Sequence, residues 1–231
     1  MIKFILLDIE GTTTSIDFVH KVLFPYSDER METYLNENQN IPEIAKAIKN
    51  FKAGLDQYNY GKAENLADVV RIAKAMIKDD VKYGPLKILQ GFIWEYGYKS
   101  GDVKGHVYPE VKEVFEKWKE QGFKLGIYSS GSVLAQKLIF GFTEFGDLTP
   151  YLSHYFDTEV GHKREVASYK TIAQKLNLEP AQILFLSDRF EELDAAQGAG
   201  MQTVLVQRDQ ELDPKITHQQ IKNFNEVNLL S

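Results

Sequence analysis

The sequence predicts an α/β fold: a three-layer, Rossmann-like parallel sheet into which an all-helical domain is inserted. Three observations carry this. Short apolar runs without polar alternation, Ile5-Leu6-Leu7, Ile183-Leu184-Phe185-Leu186 and Val204-Leu205-Val206, mark strands covered on both faces. From Val107 onward such strands alternate with helix-period segments, as a parallel sheet requires. Between about residues 28 and 99 the helical period stands alone, with no strand signal. The core is therefore predicted as residues 1–14 plus 101–231, and the helical insertion, or cap, as residues 15–100. A chain of 231 residues can bury both cores.

In order, the first strand ends in Asp8-Ile9-Glu10-Gly11-Thr12-Thr13-Thr14. Phe18 to Phe24 reads as a short apolar helix or turn stopped by Pro25, which cannot continue a helix. In the insertion, Ile44, Ile48, Phe51 and Leu55 recur on one helical face, and Leu66, Val69, Val70, Ala73, Met76 and Ile77 on another. Asp79-Asp80 and Gly84-Pro85 punctuate it. Leu86 to Trp94 forms a further apolar helix, before Gly97, Gly101 and Gly105 are expected to loosen the chain. Trp94 is expected chiefly as core packing.

The core then resumes. Val111, Val114, Phe115 and Trp118 stripe a helix that Gly122 ends as an αL cap. Lys124 to Tyr128 is a strand, Gly131 to Phe140 a helix, His154 to Asp157 a weak strand, and Ser168 to Leu176 a helix. Ile183 to Leu186, a helix from Glu191 to Ala199 and the strand Thr203 to Val206 complete the series; the tail after Gln210 is polar and carries no signal.

Composition narrows the function. A formal charge of -6 argues against nucleic-acid and anionic-membrane partners. Without cysteine there is no disulfide framework, thiolate metal site or cysteine nucleophile, which fits a cytoplasmic protein. The N-terminal apolar stretch is too short for a signal peptide, and no run approaches the roughly 18 residues of a spanning helix. The five histidines show no spaced zinc-binding pair, so carboxylates would have to serve a hard cation such as magnesium.

Ligands of an open parallel sheet bind beyond the carboxyl ends of its strands. Asp8 and Glu10, two residues apart, would face one reaction centre there if the chain stays extended. Ser129-Ser130-Gly131-Ser132 would open a helix and offer its free amides to an anion. Asp188 follows the strand ending at Leu186. Lys163 lies between these two segments in the chain. Singly, each has an ordinary reading: a polar turn, an N-capping serine, acids at a helix start, a solvated lysine. Their joint occurrence at successive strand ends does not.

The series Asp8-x-Glu10-x-Thr12, Ser129, Lys163, Asp188 resembles the four motifs of haloacid-dehalogenase-like phosphohydrolases, with the helical cap inserted after the first. Leu23-Phe24-Pro25-Tyr26, Leu89-Gln90-Gly91-x-Ile93-Trp94, Ile127-Tyr128-Ser129-Ser130-Gly131-Ser132, Gln136-Lys137-Leu138, Phe156-Asp157-Thr158 and Gly161-His162-Lys163 extend the resemblance to the enolase-phosphatase (acireductone synthase) family of methionine salvage. Glu10 stands where the wider superfamily carries aspartate, as it does in the enolase-phosphatase branch. Glu192, where many members carry aspartate, is given no role.

The resemblance implies an enzyme that enolises and dephosphorylates 5-(methylthio)-2,3-dioxopentyl phosphate to an acireductone. It implies Asp8 as nucleophile and Glu10 as acid and base, with Ser129, the amide of Ser130 and Lys163 on the phosphate. One Mg2+ would be held by Asp8, Glu10 and Asp188, with the atom that Glu10 offers left open. The expected enzyme is a cytoplasmic monomer acting on a small phosphorylated diketone. The alternatives are a phosphatase of the same fold acting on another small phosphomonoester, and a non-catalytic phosphometabolite-binding module.

Overall fold

The computed structural model describes residues 1–209, 211–213 and 216–229; the last two positions of the predicted core range lie outside the described residues. The chain forms two compact units, Met1–Ile16 with Lys104–Ser231, and Asp17–Val103.

Strand β1 (Phe4–Leu7) is buried at every position. Phe4 and Leu6 pack on one face with Tyr169, Ile172 and Leu193, and the pleat sends Ile5 and Leu7 to the other.

The chain then enters the helical unit through α1 (Ile16–Phe18) and a π-helical turn over Val19–Leu23, which runs unbroken into α2 (Phe24–Asn38). Pro25 does not stop the helix as the sequence predicts. It falls where the π-turn passes into α2, and the Phe24 N–H just before it bonds the Val19 carbonyl five residues back, in the wider π register.

Helix α3 (Pro42–Ala53) buries Ile44, Ala47 and Phe51, while Leu55 falls in the 3-10 turn beyond it. Helix α4 (Leu66–Lys78) starts at a capping box: the Asn65 side chain accepts from the Asp68 N–H at 3.0 Å, and Asp68 accepts from the Asn65 N–H at 3.4 Å. Its buried face, Val69, Ala73 and Met76, meets Met31, Phe51, Leu89 and Ile93 in the core of this unit.

Helix α5 (Gly84–Ser100) runs through Gly97 instead of loosening there. The Tyr26 ring packs where a Cβ would stand, 2.5 Å from its Cε1, so this glycine is a packing site. Trp94 is buried in this unit: its indole N–H donates to the Leu23 carbonyl at 2.8 Å and its ring stacks on Phe24.

Back in the sheet unit, α6 (Val111–Glu120) ends at Gly122, whose φ of 89° lets Gly122 N–H reach the Lys119 carbonyl and Phe123 N–H the Trp118 carbonyl, both at 3.0 Å. There follow β2 (Lys124–Tyr128), α7 (Val133–Gly141), β3 (Leu152–Phe156), α8 (Val166–Leu176), β4 (Ile183–Ser187), α9 (Phe190–Gly198) and β5 (Gln202–Val206). The tail is not featureless. It adds a sixth strand, β6 (Gln219–Ile221), and a 3-10 turn that buries Phe224 against Trp118. A three-residue edge strand with one buried residue leaves no apolar run to read.

Among the described residues six strands pair, all parallel, in the order β3-β2-β1-β4-β5-β6. Leu7 lies level with Ile127 of β2 and Leu186 of β4. Strand order reverses between β1 and β4, which opens a crevice at their carboxyl ends, next to Asp8 and Asp188.

Candidate active site

Beyond β1 the chain wraps on itself. The Ile9 carbonyl accepts the N–H groups of Thr12, Thr13 and Thr14, and Gly11 N–H donates to the Thr14 carbonyl at 2.7 Å. Gly11 makes the turn at φ 75°, and a Cβ there would stand 2.5 Å from Oδ2 of Asp188. The Asp188 carboxylate therefore leans over the turn that carries Asp8.

The three threonines, to which the sequence reading gives no role, hold this turn. Thr12 donates to Oδ2 of Asp8 at 3.3 Å, and Thr13 to the Asp8 carbonyl at 3.1 Å. Thr14 donates to the His106 carbonyl at 2.5 Å, while Nδ1 of His106 accepts the Ser15 N–H at 3.2 Å. All three are fully buried hydroxyls, each of which needs a partner.

Lys163 reaches the cluster from the loop after β3. Its ammonium lies 2.5 Å from Oδ1 of Asp8 and 2.6 Å from Oε2 of Glu192. The loop is pinned from below, with the Tyr169 hydroxyl donating to the Lys163 carbonyl at 2.7 Å and the Tyr128 hydroxyl to the Gly161 carbonyl at 3.0 Å. Glu192 also accepts from the Ser187 hydroxyl at 3.0 Å, so a residue without an assigned role stands inside the cluster.

Burial alone would lower the Lys163 pKa, but the Asp8 and Glu192 carboxylates outweigh it and raise it. Asp188 is pushed up to about 7, first by burial and then by Asp8 and Glu192, against the opposing pull of Lys163 and Arg189. Glu192 is raised by burial and by Asp8. Three buried or half-buried carboxylates thus face one ammonium, and the excess is negative.

Among the described residues, no three His, Asp or Glu side chains are grouped to hold a metal by themselves. That set does not make a full protein cage. It fits a cation that takes one or two carboxylates and fills its remaining positions with water and phosphate oxygens, the manner of Mg2+.

The other predicted residues stand nearby. Ser129 and Ser130 follow the neighbouring strand β2; the buried Ser129 hydroxyl accepts the Gly131 N–H at 3.1 Å, and Ser130 is exposed. Ser132 caps α7 by accepting from the Ala135 N–H, so the loop combines serine capping with a helix N-terminus. Glu10 is half-buried in the turn itself, its backbone bridged to Thr14, so the chain is no longer an extended strand at this point. Asp8, Lys163, Asp188 and Glu192 form one electrostatic unit.

Comparison with known proteins matches residues 2–200 to the haloacid dehalogenase-like hydrolase family. The chain is 49% identical over 215 residues to enolase-phosphatase E1 of Drosophila willistoni, covering 90% of this chain and 87% of that protein. It is 46% identical over 231 residues to enolase-phosphatase E1 of a Picosynechococcus strain, across the whole of both. The crystal structure of the UTR4 protein of Saccharomyces cerevisiae superposes with a TM-score of 0.84 at 32% identity, covering 98% of this chain and 100% of that one.

Proposed function

The chain belongs to the haloacid dehalogenase-like hydrolases and, among them, to the enolase-phosphatases, and from that membership we propose a specific reaction and roles for its residues. The substrate is 5-(methylthio)-2,3-dioxopentyl phosphate, and the products are the acireductone of methionine salvage and inorganic phosphate. The observation that carries the residue roles is the buried cluster in which Lys163 bonds both Asp8 and Glu192 at the reversal point of the sheet.

A carboxylate oxygen of Asp8 attacks phosphorus, the ester P–O bond breaks, and the leaving oxygen takes a proton from Glu10. Water then attacks the aspartyl-phosphate and gives its proton to Glu10, releasing phosphate and restoring Asp8. General acid–base help contributes about 10²–10⁴ of a much larger acceleration, so charge stabilisation and positioning must supply the rest. Lys163 holds Asp8 in place and meets the phosphoryl charge, and Ser129 with the amide of Ser130 binds the remaining oxygens. Glu192 orients Lys163.

Asp8, Asp188 and an oxygen of Glu10 would hold one Mg2+, which when bound neutralises the phosphoryl oxygens and keeps Asp8 ionised. Enolisation moves a proton from the carbon bearing the phosphate ester to the adjacent carbonyl oxygen, which acidifies that C–H. The enzyme acts as a monomer in the cytoplasm on this small substrate; no helix among the described residues is long and apolar enough to cross a membrane.

The test is release of phosphate together with growth of the acireductone chromophore. Both should require Mg2+ and vanish in Asp8→Asn with the fold retained. Turnover surviving that substitution sinks the covalent mechanism, and phosphate release without the chromophore sinks the substrate.

A further inference from the structure

Arg208, just beyond β5, lies in none of the four motifs, yet its side chain is only 7% exposed. Its Nε and Nη2 both donate to one acceptor, the Thr12 carbonyl, at 3.1 and 2.6 Å. Its Nη1 meets the Glu110 carboxylate, which also accepts the Phe224 N–H at 3.3 Å. The guanidinium lies against two rings, with its carbon 4.0 Å from the Tyr108 centroid and 4.7 Å from that of Phe224. Tyr108 is near enough to feel Asp188: burial raises its pKa, Arg208 lowers it, and Asp188 raises it again.

The acceptor is what gives this arrangement meaning. Thr12 is the residue whose hydroxyl donates to Oδ2 of Asp8, and it follows the left-handed Gly11. A carbonyl gripped by a planar fork cannot rock, so the Thr12 hydroxyl and the turn beneath Asp188 are fixed in direction. Glu110 balances the buried charge, and the two rings pack against the fork. A lysine could supply the charge but not two donors to one oxygen together with a third to Glu110.

We propose that Arg208 is a positioning residue for the nucleophile, acting through Thr12 to hold the Asp8 carboxylate in its attacking orientation, with Glu110 and Tyr108 fixing Arg208 in turn. The inference rests on the proposed role of Asp8. Misplacement of a reacting group by an ångström costs about 10² in rate, and this sets the expected size.

The experiment measures kcat, KM and melting temperature of the full chain with the diketo-phosphate, for wild type, Arg208→Met, Arg208→Lys and Ile221→Ala. The last removes a buried side chain of β6, paired with Val206 of β5, and controls for lost stability. Arg208→Met should lose about 100-fold in kcat with KM within threefold of wild type. Arg208→Lys should recover part of this, remaining about tenfold down for the missing hydrogen bond. Ile221→Ala should lose melting temperature but keep kcat.

A kcat for Arg208→Met within threefold of wild type overturns the inference, as does an equal fall in kcat for Ile221→Ala. Should Arg208→Met fail to fold, Arg208→Lys decides, and wild-type kcat in that variant overturns the inference. Wild-type protein that releases no phosphate overturns the proposed function, whereas wild-type turnover that Arg208 does not affect overturns only the positioning role.

Discussion

Asp8 and Lys163, 155 residues apart in the chain, are joined by a 2.5 Å ion pair buried beneath the crevice between β1 and β4. This pair keeps the carboxylate cluster from repelling itself apart. Removing one partner of a buried pair costs about 3–5 kcal/mol, because the other charge is left uncompensated.

Lys163→Met should therefore be strongly destabilised at pH 8 in urea unfolding, and inactive. The sign of its pH dependence follows from the carboxylates. Asp188 and Glu192 are already raised above their ordinary values by burial. Without the ammonium they rise further, so the folded state takes up protons that the unfolded state does not. Stability in the variant should recover as pH falls from 8 to 5. Wild-type stability for Lys163→Met at pH 8 would contradict the pairing.

Asp188 gives a second, opposite result. Its folded pKa of about 7 lies above the ordinary 3.8, so its contribution is fully present at low pH and is lost as pH rises from about 4 to about 7. In chelator at pH 8, Asp188→Asn should melt several degrees above wild type while releasing no phosphate. Added Mg2+ should raise the melting temperature of wild type more than that of the variant. An unchanged or lower melting temperature for Asp188→Asn in chelator would count against the charge excess.

Gly11→Ala tests the turn. The substitution meets a left-handed φ and places a methyl 2.5 Å from the Asp188 carboxylate. Backbone strain costs about 1–2 kcal/mol, and relief of the clash must move Asp188. Phosphate release should fall at least about 100-fold, well beyond the modest loss of stability. Retention of a tenth of wild-type activity would contradict the geometry.

Gly97→Ala tests the helical unit. Helix propensity alone favours alanine by about 1 kcal/mol. The Cβ would lie 2.5 Å from the buried face of Tyr26, and overpacking costs about 1–3 kcal/mol. The variant should be less stable in urea despite its better helix former, and a gain in stability would show that Tyr26 yields.

How much of this the sequence discloses depends on the kind of signal. Ile183 to Leu186 is legible because a strand covered on both faces must be apolar throughout. The α6 stripe is legible because its helix buries one side. Pro25 misleads, since the ring that breaks an α-helix interior stands here beside a π-turn, inside a helical stretch that continues through it. Gly97 misleads because a glycine that admits a neighbouring ring is written like one that bends the chain. Asp8, Lys163 and Asp188 stand out as charges next to apolar strands or in a motif. Glu192 and the threonines become legible only through partners such as Ser187 and His106, and Arg208 only through a carbonyl 196 residues away.

The clamp between Thr14 and His106 has a consequence for how the molecule is made. It ties together two points 92 residues apart, where the chain leaves the sheet unit and where it returns. Closing a flexible loop of that length costs about 4 kcal/mol of chain entropy before β1 can pair with β2. A helical insertion that collapses first, on its own local contacts, shortens the gap and lowers that cost. The strand that carries the nucleophile thus joins the sheet at a cost set by how compact a segment outside the sheet is.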